Sequence, residues 1–210
     1  MMGLFRKKAE ARPRTHVSRA RVSVEALEGR ELMAARFTIA DTLNARDTIN
    51  IQELNVLGSI ENLKINAIGQ FQQVIADGQA RSNALATQFS ALVAQEQAAA
   101  AAGNTQAVLA IRQQEGVVFH MGMQVRGLMR QATVLENTIQ TTLTQNENLV
   151  VRTFNNTQWN LSRGNNPFLT VPHAVNALNA IGAMAQQHAT SGSMAMGAID
   201  ARINGMLPLA

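Results

Sequence analysis

The stretch Ala98-Ala99-Ala100-Ala101-Ala102-Gly103-Asn104-Thr105 lies near the middle of this 210-residue chain and separates two long helical segments. The five alanines favour a helix end with small side chains, which suits a tight turn. Gly103 and Asn104 tolerate the left-handed conformation that ends helices, and Asn104 or Thr105 can cap the following helix. Proline is absent from residues 14–166. The sequence therefore predicts a helical hairpin with its tip near residues 103–105.

Large apolar residues recur at intervals of about 3.5 on both sides of this turn, a pattern typical of helices that wind around a partner. It predicts an all-α fold based on a long antiparallel, coiled-coil-like two-helix hairpin over residues 37–163. The first series is Leu57, Glu61, Lys64, Ile68, Phe71, Ile75, Gly78, Ser82, Leu85, Phe89, Leu92 and Glu96. The second is Val108, Ile111, Glu115, Val118, Gly122, Val125, Met129, Ala132, Glu136, Ile139, Leu143, Asn146 and Val150.

The position of the tip also predicts which residues of the two hairpin helices face each other. Ser82 is expected beside Gly122 or Met123, and Leu85 beside residues 118–120. A small serine opposite a small glycine agrees with this register, because a shifted register would seldom bring the two together.

Residues 164–210 are predicted to form short helices that pack on the hairpin or on a partner. The periodicity weakens after Val151, and residues 154–167 indicate a helix end and a loop. Two short helices are expected beyond, with a break at Ser191-Gly192-Ser193. Their approximate limits are His173 to His188 and Met194 to Asn204. The first carries a candidate interface, which consists of Val175, Leu178, Ile181 and Met184.

Charge is unevenly distributed. Residues 1–36 hold nine of the 18 basic residues and four of the 14 acidic ones, so they are predicted to be a basic, disordered targeting arm. The remaining chain lacks a basic excess, which argues against a nucleic-acid-binding domain. Residues 164–199 contain no Asp, Glu, Lys or Arg. Because interspersed charges keep monomer surfaces soluble, this segment suggests a homo-oligomer or a protein partner.

A short motif follows the basic residues: Val24-Glu25-Ala26-Leu27-Glu28-Gly29-Arg30-Glu31-Leu32-Met33-Ala34-Ala35. It resembles the N-terminal leader of planctomycete extracellular proteins, in which a hydrophobic-Glu-x-Leu-Glu-x-Arg-x-Leu core follows a basic stretch. The residues that carry the resemblance are Val24, Glu25, Leu27, Glu28, Arg30 and Leu32. The resemblance implies export to the cell surface or beyond, but no particular activity. An ordinary secretory signal and a run of apolar residues long enough to span a membrane are both absent from the sequence.

No group of residues in the sequence predicts a catalytic, cofactor-binding or metal site. The four histidines are far apart, and cysteine is absent. The glutamates on the two apolar series lack the Glu-x-x-His motif of di-iron bundles, and they are interpreted as setting the register or lying at a solvated edge. These glutamates are Glu61, Glu96, Glu115 and Glu136.

These observations favour an exported, non-enzymatic structural or interaction protein that acts through helical self-association. Two alternatives stay open. The first is a helical-bundle enzyme or ligand-binding protein with an unrecognised site. The second is a cytosolic coiled-coil adaptor with a basic arm.

Overall fold

A computed structural model describes residues 37–206, of which 94% are helical, with no strand among them. The prediction of an all-α fold is confirmed for this part of the chain. Three helices follow one another: α1 (Ile39–Ala101), α2 (Thr105–Ser162) and α3 (Pro167–Asn204). The predicted disorder of residues 1–36 and the leader motif lie outside the described residues.

Local sequence accounts for the helix ends. Thr38 and Asp41 form a capping box at the start of α1, in which the backbone N–H of Asp41 donates to Thr38 Oγ1 over 3.1 Å. Gly103 adopts a positive φ of 71° at the tip, and Asn104 Oδ1 accepts from the backbone N–H of Ala107 at the start of α2. Gly164, with φ of 79°, and the N-cap Asn166 repeat this arrangement before α3.

Helices α1 and α2 pack antiparallel. Near the open end, Gln158 Nε2 donates to Asn50 Oδ1 over 3.0 Å. Farther along, the Lys64 ammonium lies 2.6 Å from Glu147 Oε2. Close to the tip, a third cross-pair joins the guanidinium of Arg112 to Glu96 Oε1 at 2.7 Å. The partner positions on α2 fall as those on α1 rise, as an antiparallel pair requires.

Helix α3 returns along this pair, parallel to α1. Gln52 Nε2 donates to Asn179 Oδ1 over 2.6 Å, and Gln70 Nε2 donates to Ser193 Oγ over 2.8 Å. Residues from all three helices share two hydrophobic clusters. The first includes Ile60, Leu143 and Leu178, and the second includes Val74, Leu128, Met196 and Ile203.

The prediction of two short C-terminal helices is wrong, because α3 is continuous through Ser191-Gly192-Ser193. Gly192 is buried against α2, and a Cβ at this position would lie 2.6 Å from Ile139 Cγ1. The glycine therefore allows two helices to approach closely instead of ending one. Helix α2 likewise continues to Ser162, through most of the segment that was expected to be a loop.

The third helix also changes which side of α1 is buried. The fully buried residues of α1 advance in steps of seven and four, which average about 3.6 residues per turn. Ile60 and Ala67 are buried, whereas their neighbours Glu61 and Ile68, on the predicted 3.5-residue series, are exposed. The predicted seam is therefore wrong by one residue in this half of α1, because the core faces both α2 and α3.

Helix α3 is shorter than the hairpin. Its last turn lies beside Gly78, where a Cβ would meet Met129 Cγ at 2.6 Å and Ile203 Cδ1 at 3.6 Å. Beyond this level α1 and α2 continue around a third cluster that includes Leu85, Leu92, Val118 and Val125, against which Met206, just after α3, also packs. We call this projecting part, residues 82–101 of α1 and 105–126 of α2, the arm.

The close approach at Gly192 can be tested with a pair of alanine substitutions in α3. Alanine is favoured over glycine in helices by about 1 kcal/mol, so Gly197→Ala, whose Cβ would have open space, should stabilise the protein by up to this amount. Gly192→Ala should instead lower the free energy of unfolding by about 1–2 kcal/mol, because Ile139 must shift. Urea denaturation of both variants measures the difference. Equal stabilisation by the two would contradict the α2–α3 contact.

Candidate functional site

The fold buries part of the predicted interface on α3 and leaves the rest partly exposed. Leu178 and Ile181 are buried inside the same chain, in the cluster with Val56 and Ile60, so they are not free to meet a partner in this arrangement. Val175 is half-buried, and Met184 is 42% exposed. The charge-free segment therefore packs within the chain along its apolar side.

Few titratable side chains lie close together in the described range. In the described range, no group of three or more His, Cys, Asp or Glu residues lies close enough to hold a metal ion. Of the four glutamates on the apolar series, Glu96 pairs with Arg112 and Glu61 is exposed. Glu115 is half-buried, and its Oε1 atom is buried with no hydrogen-bond partner among the described residues.

One pair of carboxyl groups faces across the α1–α3 contact. Burial and, next, the charge of Asp77 on α1 raise the pKa of Asp200 on α3, and a hydrogen bond between the two carboxyls raises it further. Gln73 Nε2 donates to both oxygens of Asp77 at 3.1 Å, and Asn204 Nδ2 donates to Asp200 Oδ2 at 3.2 Å. Asp200 Oδ1 is buried with no partner in residues 37–206. The pair is therefore a point of electrostatic strain between the helices.

The arm carries an exposed apolar groove of about 260 Å³. Both helices contribute to it, with Ser82, Ala86 and Phe89 on α1 and Phe119, Gly122 and Met123 on α2. Phe119 is 58% exposed and Met123 is 51% exposed, and the ring of Phe119 packs edge-on against His120. We call this surface the arm groove. Ser82 and Gly122 both line it, and so do Leu85 and Val118.

Phe119 and Met123 were not among the predicted site residues, although the sequence contains a signal for them. Val118 belongs to the predicted seam and is buried. Its neighbours Val117 and Phe119 are also large and apolar, and a helix cannot turn three consecutive residues toward one partner. At least one apolar side chain must then face away from the seam.

Trp159 near the end of α2 is largely exposed and stacks against Arg163, with the guanidinium carbon 3.7 Å from the ring centroid. No helix within residues 37–206 combines the length and the apolar character needed to cross a membrane.

Comparisons of the chain with protein-family models, with curated proteins and with solved structures gave no match.

The Asp77–Asp200 pair predicts a pH dependence of stability. Because the folded-state pKa of Asp200 is raised, the stability that this group contributes is fully present below its ordinary pKa of 3.8 and is lost as the pH rises through the folded-state pKa. Asp200→Asn should therefore increase the free energy of unfolding near pH 7. It should also reduce the fall of this free energy between pH 4 and pH 7. Asp47→Asn, at an exposed position of α1, is the control. Urea denaturation at pH 4 and pH 7 measures both, and a loss of stability in Asp200→Asn at pH 7 would contradict the strained pair.

Proposed function

We propose that this chain is an exported, non-enzymatic structural protein that acts through helical self-association at the cell surface or outside the cell. The observation that carries the proposal is the arm groove, an apolar surface on a part of the molecule that projects beyond its own third helix. Export is supported by the resemblance of residues 24–32 to a planctomycete leader.

The arm favours association because the described part of the chain leaves apolar side chains on it exposed. Two helices share one seam, and in the arm that seam holds a single cluster of aliphatic residues. Phe119 and Met123 lie outside it with much of their surface in water. Burying apolar surface contributes about 25 cal/mol per Å², so covering these two side chains favours association.

The elongated shape suits a structural role. At 1.5 Å per residue, the 63 residues of α1 extend over about 95 Å, and the 38 residues of α3 over about 57 Å. The arm therefore extends roughly 30–40 Å from the end of the three-helix base to its tip. An elongated subunit with an association surface near one end joins copies whose three-helix bases lie far apart. A compact subunit of this size does not.

The proposal is tested on the full chain by sedimentation equilibrium and by cell fractionation with sequencing of the mature N-terminus. We expect a dimer or larger species at micromolar concentration, and we expect the protein in the surface or medium fraction. A stable monomer at high concentration would overturn the self-association. Recovery of the whole protein in the cytosol would overturn the export and leave the assembly to be judged on the sedimentation result.

A further inference from the structure

We propose that the arm groove docks on the arm groove of a second copy of this chain, antiparallel and related by a two-fold axis that passes between His120 and Met121. This inference rests on the self-association proposed above, and it names the surface and the register of the contact.

Four residues of α2 define the surface. Glu115, Phe119, Gly122 and Arg126 follow one another at intervals of four, three and four residues, which places them on one face of the helix. The last three line the arm groove. Phe119 stands out from this face, whereas Gly122, one turn later, leaves open space where a side chain would be. A knob and a hole therefore lie side by side on the same surface.

The order of these residues is self-complementary. A two-fold contact requires that if residue i meets residue j, then j also meets i. In an antiparallel α2–α2 pair, Phe119 meets Gly122 of the other copy when the axis lies midway between residues 119 and 122. The same midpoint lies between Glu115 and Arg126. A single axis therefore places Phe119 of each copy in the gap at Gly122 of the other copy. The same axis brings Glu115 of each copy to Arg126 of the other.

The electrostatic state of the single chain agrees with this pairing. Glu115 Oε1 is buried without a hydrogen-bond partner in the described range, which is costly for a carboxylate. Arg126 is exposed and takes part in neither of the two ion pairs found in residues 37–206. Approach of the second copy would bring Arg126 beside the half-buried Glu115, whose carboxylate would turn outward to meet the guanidinium.

Helix α1 allows the approach. The contact of Gly78 with Met129 sets α1 against α2, and by the same register His120 is level with about residue 87 of α1. Three of the five α1 residues that line the groove are small, namely Ser82, Ala86 and Ser90, and this favours a close approach of α1 to α1 of the other copy. The other two are Leu85, which is buried, and Phe89, which is half-buried and adds apolar area to the contact.

The area of the contact suffices for a dimer. With the axis at residue 120, the tip of each copy reaches about residue 70 of the other, which gives an overlap of roughly 50 Å along the helices. A contact about 15 Å wide over this length covers roughly 750 Å² per copy, close to the approximately 800 Å² per partner of standard stable interfaces. Ile68, exposed on α1, lies at the end of this overlap.

The first test compares two substitutions in the full chain by sedimentation equilibrium. Phe119→Glu should raise the dimer dissociation constant by about 30-fold or more, because it places a charge in an apolar pocket at the centre of the contact. Val117→Glu is the matched control. Val117 is also exposed and apolar, but it lies about 200° around the helix from Phe119, and its substitution should change the constant by less than about threefold. Circular dichroism melts establish that both variants fold.

The second test reverses the charges. Arg126→Glu alone should weaken the dimer by about tenfold, and Glu115→Arg alone should do the same. The double variant Glu115→Arg/Arg126→Glu should restore the dissociation constant to within about threefold of the unmodified chain. Two single losses without rescue would overturn the antiparallel register. A dimer that Phe119→Glu leaves intact would overturn the arm groove as the contact while leaving self-association standing. A monomeric unmodified chain would overturn both proposals.

Discussion

The end of α3 at Asn204 determines how much of the hairpin is packed against a third helix. It lies level with Gly78 and Met129. Below this level three helices enclose a common core. Above it, among residues 37–206, two helices share one seam, with Met206 packed against it, and apolar side chains such as Phe119 and Met123 are exposed. The close contact of Gly192 with Ile139 holds α3 against α2, so one glycine helps to determine which part of the hairpin is covered by the chain itself.

The helical class, the turn at Gly103 and the approximate register could be predicted because each depends on local chemistry or on counting from the tip. The buried face of α1 could not. A 3.5-residue period and a 3.6-residue period differ by little over a few turns, and the choice depends on whether a helix has one partner or two. Ile60 and Ala67 are buried because α3 adds a second partner, and α3 itself was hidden by a glycine that resembles a helix break.

The predicted interface on α3 and the surface proposed on the arm differ for a related reason. Leu178 and Ile181 form an apolar stripe in a charge-free segment, and so they have the composition of an interface. Composition does not distinguish a stripe that meets the same chain from one that meets another. Phe119 and Met123 differ only in that the chain supplies nothing to cover them in the described structure. This property follows from the length of α3, which only the assembled fold reveals.

Helix α3 packs on the hairpin of its own chain, parallel to α1, and the described part of the chain contains no third helix along the arm. Because the chain contains no cysteine, a Gln52→Cys/Asn179→Cys variant treated with a short bifunctional maleimide tests this directly. We expect rapid cross-linking within one chain, seen as monomers of altered mobility on a denaturing gel. A Thr87→Cys/Asn179→Cys control, with one site on the arm, should not cross-link internally. Cross-links only between chains, or none, in the first variant would contradict the account.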